Sequence, residues 1–277
     1  MDEVQAFVRQ HDRDRYLASL FAPEEKRPHL LALYAFHAEV ARIAGLVSEP
    51  QLAEIRLQWW LDTLEGIYAG EVQAHPVAKA LGEAIKIGGI PKLALANMAK
   101  VHQFDFYSDP MPSQNDLEGY LGETSGALVR LGAMVLDQGA ARECGEAAGL
   151  AGVTYGLAQV LNNLPSAQAL KQCFVPADIL ERRGLRAQDL AAPQNDAAVR
   201  EALAEIRVLA DKRLRELLEQ TRTIKETVAP AFLHVALARP YLVKAKSRGA
   251  TVLAQGAEIS QLRKQWVLWK AARGTPF

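Results

Sequence analysis

The run Arg56-Leu57-Gln58-Trp59-Trp60 carries the densest chemistry in this chain. Indole and guanidinium groups are enriched at the centres of protein interfaces, so Arg56, Gln58, Trp59 and Trp60 form a candidate partner face. The competing account packs one tryptophan inward and leaves the other partly exposed. Glu39 and Arg42 stand at the spacing of an intrahelical ion pair. Near the C-terminus, QLRKQWVLWKAAR groups Trp266 and Trp269 with Lys264, Lys270 and Arg273. Such a basic aromatic helix either rests on a membrane surface or caps a helical bundle. The six histidines (His11, His29, His37, His75, His102, His234) are scattered, and none forms a recognisable metal site with another ligand-type side chain. His37 falls in a segment expected to line the interior, where a hydrogen-bonded core histidine is the commoner role. Cys144 and Cys173 lack a CxxC partner, so a zinc or redox centre is not expected, and reduced thiols suit the cytoplasm. Nucleotide-binding glycine loops and the GxSxG signature are missing.

The elements that must position these groups are helical throughout. Apolar residues from Leu30 to Ile43 recur at three- and four-residue intervals, predicting a helix from Pro23 to about Gly45. A second helix is expected from Pro50 to Gly70, with Leu52, Ile55, Trp59 and Leu64 on one stripe. His75-Pro76 opens a third, which Gly88-Gly89 ends before Pro91 opens another. Asn115–Gln138 and Ala140–Leu164 read as two long helices whose glycines permit close backbone contact. A short helix from Pro176, the loop AAPQND, a charged helix over Ala197–Ile224, two further helices and the tail GTPF complete the chain. Alternation typical of strands, internal repeats and long linkers are lacking, so the expectation is one all-α domain over residues 1–277.

Composition bounds the partners. Lys+Arg and Asp+Glu number 32 each, 49% of residues are apolar and 23% charged. That balance offers no field to attract nucleic acid, and none is expected as a partner. The charged N-terminal segment does not read as a signal peptide. No apolar run approaches the ~20 residues of a membrane span. A cytoplasmic protein is the expectation.

Two groups of motifs then point to a family. LYAF (Leu33–Phe36), HPV (His75–Val77) and FVPAD (Phe174–Asp178), in this order and at near-constant spacing, resemble the squalene/phytoene synthase family. The resemblance implies an isoprenoid-synthase-like helical bundle around a central cavity. That family joins two isoprenoid diphosphates, such as farnesyl or geranylgeranyl diphosphate, and holds Mg²⁺ on aspartates of two facing helices. Here the first aspartate motif falls on Ala41, Arg42 and Gly45. The second falls on Asn163, Ser166 and Ala167, with Asn162 where an arginine is usual. A guanidinium at a metal position repels Mg²⁺. The family's chemistry is therefore not expected, and no cofactor is, unless a displaced Mg²⁺ site keeps the protein an active prenyltransferase.

A narrower likeness is to the branch of the family that serves as a mitochondrial assembly factor for respiratory complex I. It rests on AF-x-x-E (Ala35, Phe36, Glu39), VSE (Val47–Glu49), the Arg56–Trp60 run, and Pro165 followed by Phe174-Val175-Pro176. It implies a non-catalytic pseudoenzyme whose partners are complex I subunits or an isoprenoid ligand, in the cytoplasm or peripheral to the inner membrane. The resemblance also places Glu39, Arg42, Gln159, Asn162 and Asn163 around the central cavity. These form either a polar pocket for an anionic head group or isoprenoid, or a former active site closed by a Glu39–Arg42 ion pair and amide hydrogen bonds. A third alternative is a plain carrier of isoprenoid lipid.

Overall fold

The computed structural model describes residues 3–71, 74–191 and 196–274. Helices α1 (Glu3–His11) and α2 (Arg13–Ser19) meet at Asp12, whose carboxylate accepts from the Arg15 N–H and caps α2. Helices α3 (Arg27–Ala41), α4 (Pro50–Ala69) and α5 (Pro76–Gly88) each carry proline in the first turn, where its missing N–H costs nothing. Gly70 and Gly89 end α4 and α5 at φ of 85° and 57°, a conformation that glycine adopts without strain. The order continues with α6 (Lys92–Val101), α7 (Gln114–Leu121), α8 (Ala127–Leu136), α9 (Gln138–Glu143) and α10 (Gly145–Asn162). It closes with α11 (Leu164–Ala169), α12 (Ala177–Glu181), α13 (Asp196–Glu219), α14 (Ala229–Phe232), α15 (Ala238–Arg248), α16 (Val252–Gln255) and α17 (Gln261–Ala271). The fold is all-α; among the described residues the one β feature is an isolated bridge between Pro110 and Cys173.

Helices α3, α8 and α10 form the centre, with α5, α13 and α15 packed outside them. A single hydrophobic cluster joins Leu30, Leu33 and Phe36 of α3 to Leu128 of α8, Leu157 of α10, Ile206 of α13 and Leu268 of α17. Glycines let α10 approach the π-turn Gly122–Gly126 that links α7 to α8. A Cβ on Gly152 would lie 2.1 Å from the Gly126 nitrogen, so only glycine fits there.

Several boundaries differ from the sequence expectation. The helix expected from Pro23 begins at Arg27, because Pro28 cannot donate to the Glu24 carbonyl and would clash with it. Asn115–Gln138 is interrupted by the π-turn, and Ala140–Leu164 is split at Cys144 into α9 and α10. The charged helix ends at Glu219. Of the stripe expected along α4, Leu64 is buried, but Leu52, Ile55 and Trp59 face outward, and Ala53, Leu57 and Trp60 are buried instead. Residues 192–195 of the AAPQND loop and 275–277 of the tail lie outside the described residues.

Candidate functional site

The C-terminal ends of α3 and α10, the α1–α2 junction and α17 enclose a cavity of about 540 Å³. Arg42, Gln159, Asn162 and Asn163 line it. A second chamber of about 610 Å³ shares His37, Arg42, Gln159 and Asn163 with the first. It continues between Leu121, Val160, Leu164, Phe174, Val175 and Leu190. The whole space thus has a polar mouth and an apolar depth.

A network that motif reading missed organises the polar mouth. Asp14 Oδ2 accepts from Tyr155 (2.9 Å), Gln159 (3.2 Å) and Tyr241 (2.6 Å), and its Oδ1 lies 2.7 Å from Lys264 Nζ. Lys264 also meets Glu258 at 2.5 Å, and Asn162 donates to the same carboxylate at 3.2 Å. Burial opposes the Lys264 charge, but Asp14 and Glu258 together hold its pKa above the ordinary lysine value. Burial, then the negative Asp14, pushes both the Tyr155 and the Tyr241 phenols upward, so they act as donors. Beside them Arg15 pairs with Asp12 at 2.8 Å and lies over the Tyr155 ring, while its Nε and Nη2 are buried without a hydrogen-bond partner.

Deeper in, Asp105 accepts from Tyr120 (2.9 Å) and sits 2.7 Å from His102 Nδ1, leaving His102 Nε2 unpartnered. The His37 ring stands 5.5 Å from that of His102. His37 titrates well below the ordinary histidine range, first through burial and then through the charge of Arg15. His234 is lowered in the same way and by the same two causes. Both imidazoles are neutral at physiological pH.

Glu39 does not join this cavity, which corrects the expected pocket. It projects from the opposite side of α3 into a hollow of about 270 Å³ with Ile43, Leu46, Arg56, Trp59, Trp60 and His75. Arg42 caps the end of α3 and turns toward the cavity, its guanidinium 5.4 Å from the centre of the Phe7 ring. The expected Glu39–Arg42 ion pair is not formed, because the two side chains leave α3 on different sides. The candidate partner face is divided as well. Arg56, Trp59 and Trp60 line the Glu39 hollow, whereas Gln58 donates to Asp62 at 2.7 Å and borders a separate surface depression. Lys264, grouped by sequence with the basic and aromatic residues of the last helix, is 4% exposed. The HDRDRY run that supplies Asp12, Asp14 and Arg15 was the available signal for the missed network, but its charges were weighed only against a signal peptide.

The donor set does not fit the Mg²⁺ cluster that this kind of cavity would need. Ala41 and Arg42 stand on the α3 side, and Asn163, Ser166 and Ala167 stand on the facing side. The remaining carboxylates are engaged: Asp12 with Arg15, and Asp14 and Glu258 with Lys264. Among the described residues no group of three or more His, Cys, Asp or Glu side chains is placed to hold a metal ion.

The squalene/phytoene synthase family model matches residues 8–268. The chain belongs to that family. A mouse (Mus musculus) protein named "NADH dehydrogenase (ubiquinone) complex I, assembly factor 6" is 28% identical over 237 residues, covering 86% of this chain and 71% of its own. A Thermus thermophilus phytoene synthase is 24% identical, covering 95% of this chain and 89% of its own. Among solved structures, a dehydrosqualene synthase superposes with a TM-score of 0.83 at 17% identity, covering 98% of this chain and 94% of its own. That likeness establishes the isoprenoid-synthase fold. No helix of the described residues is long and apolar enough to cross a membrane.

Proposed function

We propose that this chain is a non-catalytic squalene/phytoene synthase family protein that acts in the assembly of respiratory complex I. The observation that carries the first half is the Asp14–Lys264–Glu258 bridge. Fixed cations, Lys264 and Arg42, stand in the cavity where a metal-dependent diphosphate ionisation requires clustered free carboxylates. The second half is supported by the relatives named for that assembly role. Incubation of the purified protein with farnesyl or geranylgeranyl diphosphate and Mg²⁺ is expected to release no pyrophosphate; turnover above background removes the non-catalytic reading. Deletion of the gene is expected to lower the amount of assembled NADH dehydrogenase. Full assembly without it removes the assembly reading.

The apolar chamber supports a second role, binding an isoprenoid chain without turning it over. Calorimetric titration with a farnesyl diphosphate analogue is expected to show binding that does not depend on Mg²⁺; heat only in the presence of Mg²⁺ favours an active enzyme instead. Peripheral membrane contact belongs to the same reading. The outward face of α17 presents Leu262 and Trp266, 80% and 62% exposed, with Arg263, Lys270 and Arg273 and no carboxylate from Gln261 to Gly274. Co-sedimentation with anionic vesicles is expected, and its loss in W266Q/W269Q identifies α17 as the contact. Wild type remaining in the supernatant rules that contact out.

A further inference from the structure

The hollow on the far side of α3 combines features that the cavity does not explain. Glu39 is half-buried beside Ile43 and Leu46, and its carboxylate has no hydrogen-bond or ion-pair partner among the described residues. A carboxylate held away from full solvation without a partner is a standing cost to the fold. Arg56 lines the same hollow but forms no ion pair with it. Three aromatic rings make the adjoining wall. Trp59 and Trp60 meet edge to face at 4.9 Å between centroids, and His75 meets them at 5.5 Å and 5.3 Å. Nδ1 of His75 is buried and unpartnered. A cation placed between an unpaired carboxylate and indole faces gains both Coulombic and cation–π attraction.

The surroundings say what carries that cation. Leu52, Ile55 and Trp59, spaced i, i+3 and i+7 on α4, are 48%, 65% and 46% exposed and run as one apolar stripe away from the hollow. A small free cation has no use for such a stripe; a polypeptide packs along it. Glu39, Arg56, Trp59 and Trp60 also belong to the AF-x-x-E and Arg56–Trp60 runs on which the resemblance to the assembly-factor branch rests. The sequence separates these motifs, and the fold brings them into one hollow, turned away from the cavity that gives the family its chemistry.

We infer that this hollow is a docking site for a partner protein, which seats one lysine or arginine side chain against Glu39 and the Trp59–Trp60–His75 wall and lays apolar side chains along the α4 stripe. The inference rests on the assembly reading and names the surface through which that work is done. Glu39 supplies the charge complement, Trp59 the exposed aromatic contact, and Trp60, which also packs edge to face on Phe36, the rigid base of the wall.

The direct test follows the indole N–H signals of the four tryptophans in the full-length protein by NMR, with acetyl-arginine amide as the probe. The Trp59 and Trp60 signals are expected to shift progressively in the millimolar range. Trp266 and Trp269 should stay still, and E39Q should abolish the shift without lowering the melting temperature. Absence of a shift at Trp59 and Trp60, or an equal shift in E39Q, overturns the proposal. In cells, E39Q and I55E are each expected to reduce assembled NADH dehydrogenase to the level of the deletion strain. Normal assembly with both folded variants overturns the docking site. If the deletion itself has no effect, the assembly reading fails instead, and the indole titration still decides the hollow.

Discussion

Lys264 is the side chain on which the polar mouth of the cavity turns. It is the counter-ion of Asp14, a carboxylate that also accepts from two tyrosines and a glutamine in the interior. Removing one member of a buried pair strands the other, at a cost of about 3–5 kcal/mol. K264M is therefore expected to lower unfolding free energy by about that amount in a denaturant titration, and D14N/K264M to recover most of it. An unchanged midpoint in K264M would show that Asp14 needs no counter-ion. The depressed histidines give a second test. A histidine whose folded pKa lies below its unfolded value of about 6.5 contributes stability that is present above that value and lost as pH falls through it toward the lower folded pKa. His37 and His234 are both of this kind. The denaturation midpoint is expected to fall between neutral pH and about pH 5, and H37Q is expected to flatten part of that decline. Equal pH slopes in wild type and H37Q would assign the effect elsewhere. Gln159 was named beforehand as a pocket residue, but its link to Asp14 and Lys264 was not legible, because Asp14 and Lys264 lie at opposite ends of the chain and only the fold pairs them.

Helix positions were easier to anticipate than helix faces. Proline and glycine fix where α4 and α5 start and stop whatever packs around them, and Pro50, Gly70, Pro76 and Gly89 do so here. The face of α4 was ambiguous because two apolar stripes coexist on it. Leu52, Ile55 and Trp59 follow the helical period as well as Ala53, Leu57, Trp60 and Leu64 do. Periodicity reports that a stripe exists; tertiary contact decides which one is buried. The expectation that glycines allow close helix contact is met at Gly152, where α10 touches the π-turn. G152A forces a methyl group into the Gly126 backbone, which cannot rotate away as a side chain would. Overpacking of this sort costs about 1–3 kcal/mol or more. G149A, at a position inside α10 with nothing within 4 Å of an added Cβ, is the matched control and is expected to hold or raise the melting temperature, since alanine is the better helix former. Equal melting of G152A and wild type would mean that α10 and the π-turn separate easily.

At the scale of the molecule, α3 divides two sites that the sequence presented as one. The resemblance placed Glu39 and Arg42 around one cavity, yet the end of α3 at Ala41 lets Arg42 turn to the cavity while Glu39 stays in the hollow. The reading that the acidic motifs are replaced rests on the resemblance and on local spacing alone. Whether the fold has kept the geometry for metal after losing the ligands can be asked directly. Ala41 and Asn163 are exposed, Ala167 lines the second chamber, and a Cβ on Gly45 would meet only Leu170 side-chain atoms at 3.8 Å. Carboxylates at these positions and at Arg42 therefore enter without displacing the core. The variant A41D/R42D/G45D/N163D/A167D is expected to gain thermal stability on addition of MgCl₂, about 2.7 kcal/mol at a hundredfold excess over Kd, whereas wild type is expected to show no response. Stabilisation confined to the variant would make ligand identity, rather than backbone geometry, the reason this cavity does not suit Mg²⁺. If neither protein responds, the facing helices have moved out of register, and a switch of ligands alone cannot account for the change. If wild type responds, the cations at Lys264 and Arg42 do not exclude metal, and the electrostatic basis for a non-catalytic protein is lost.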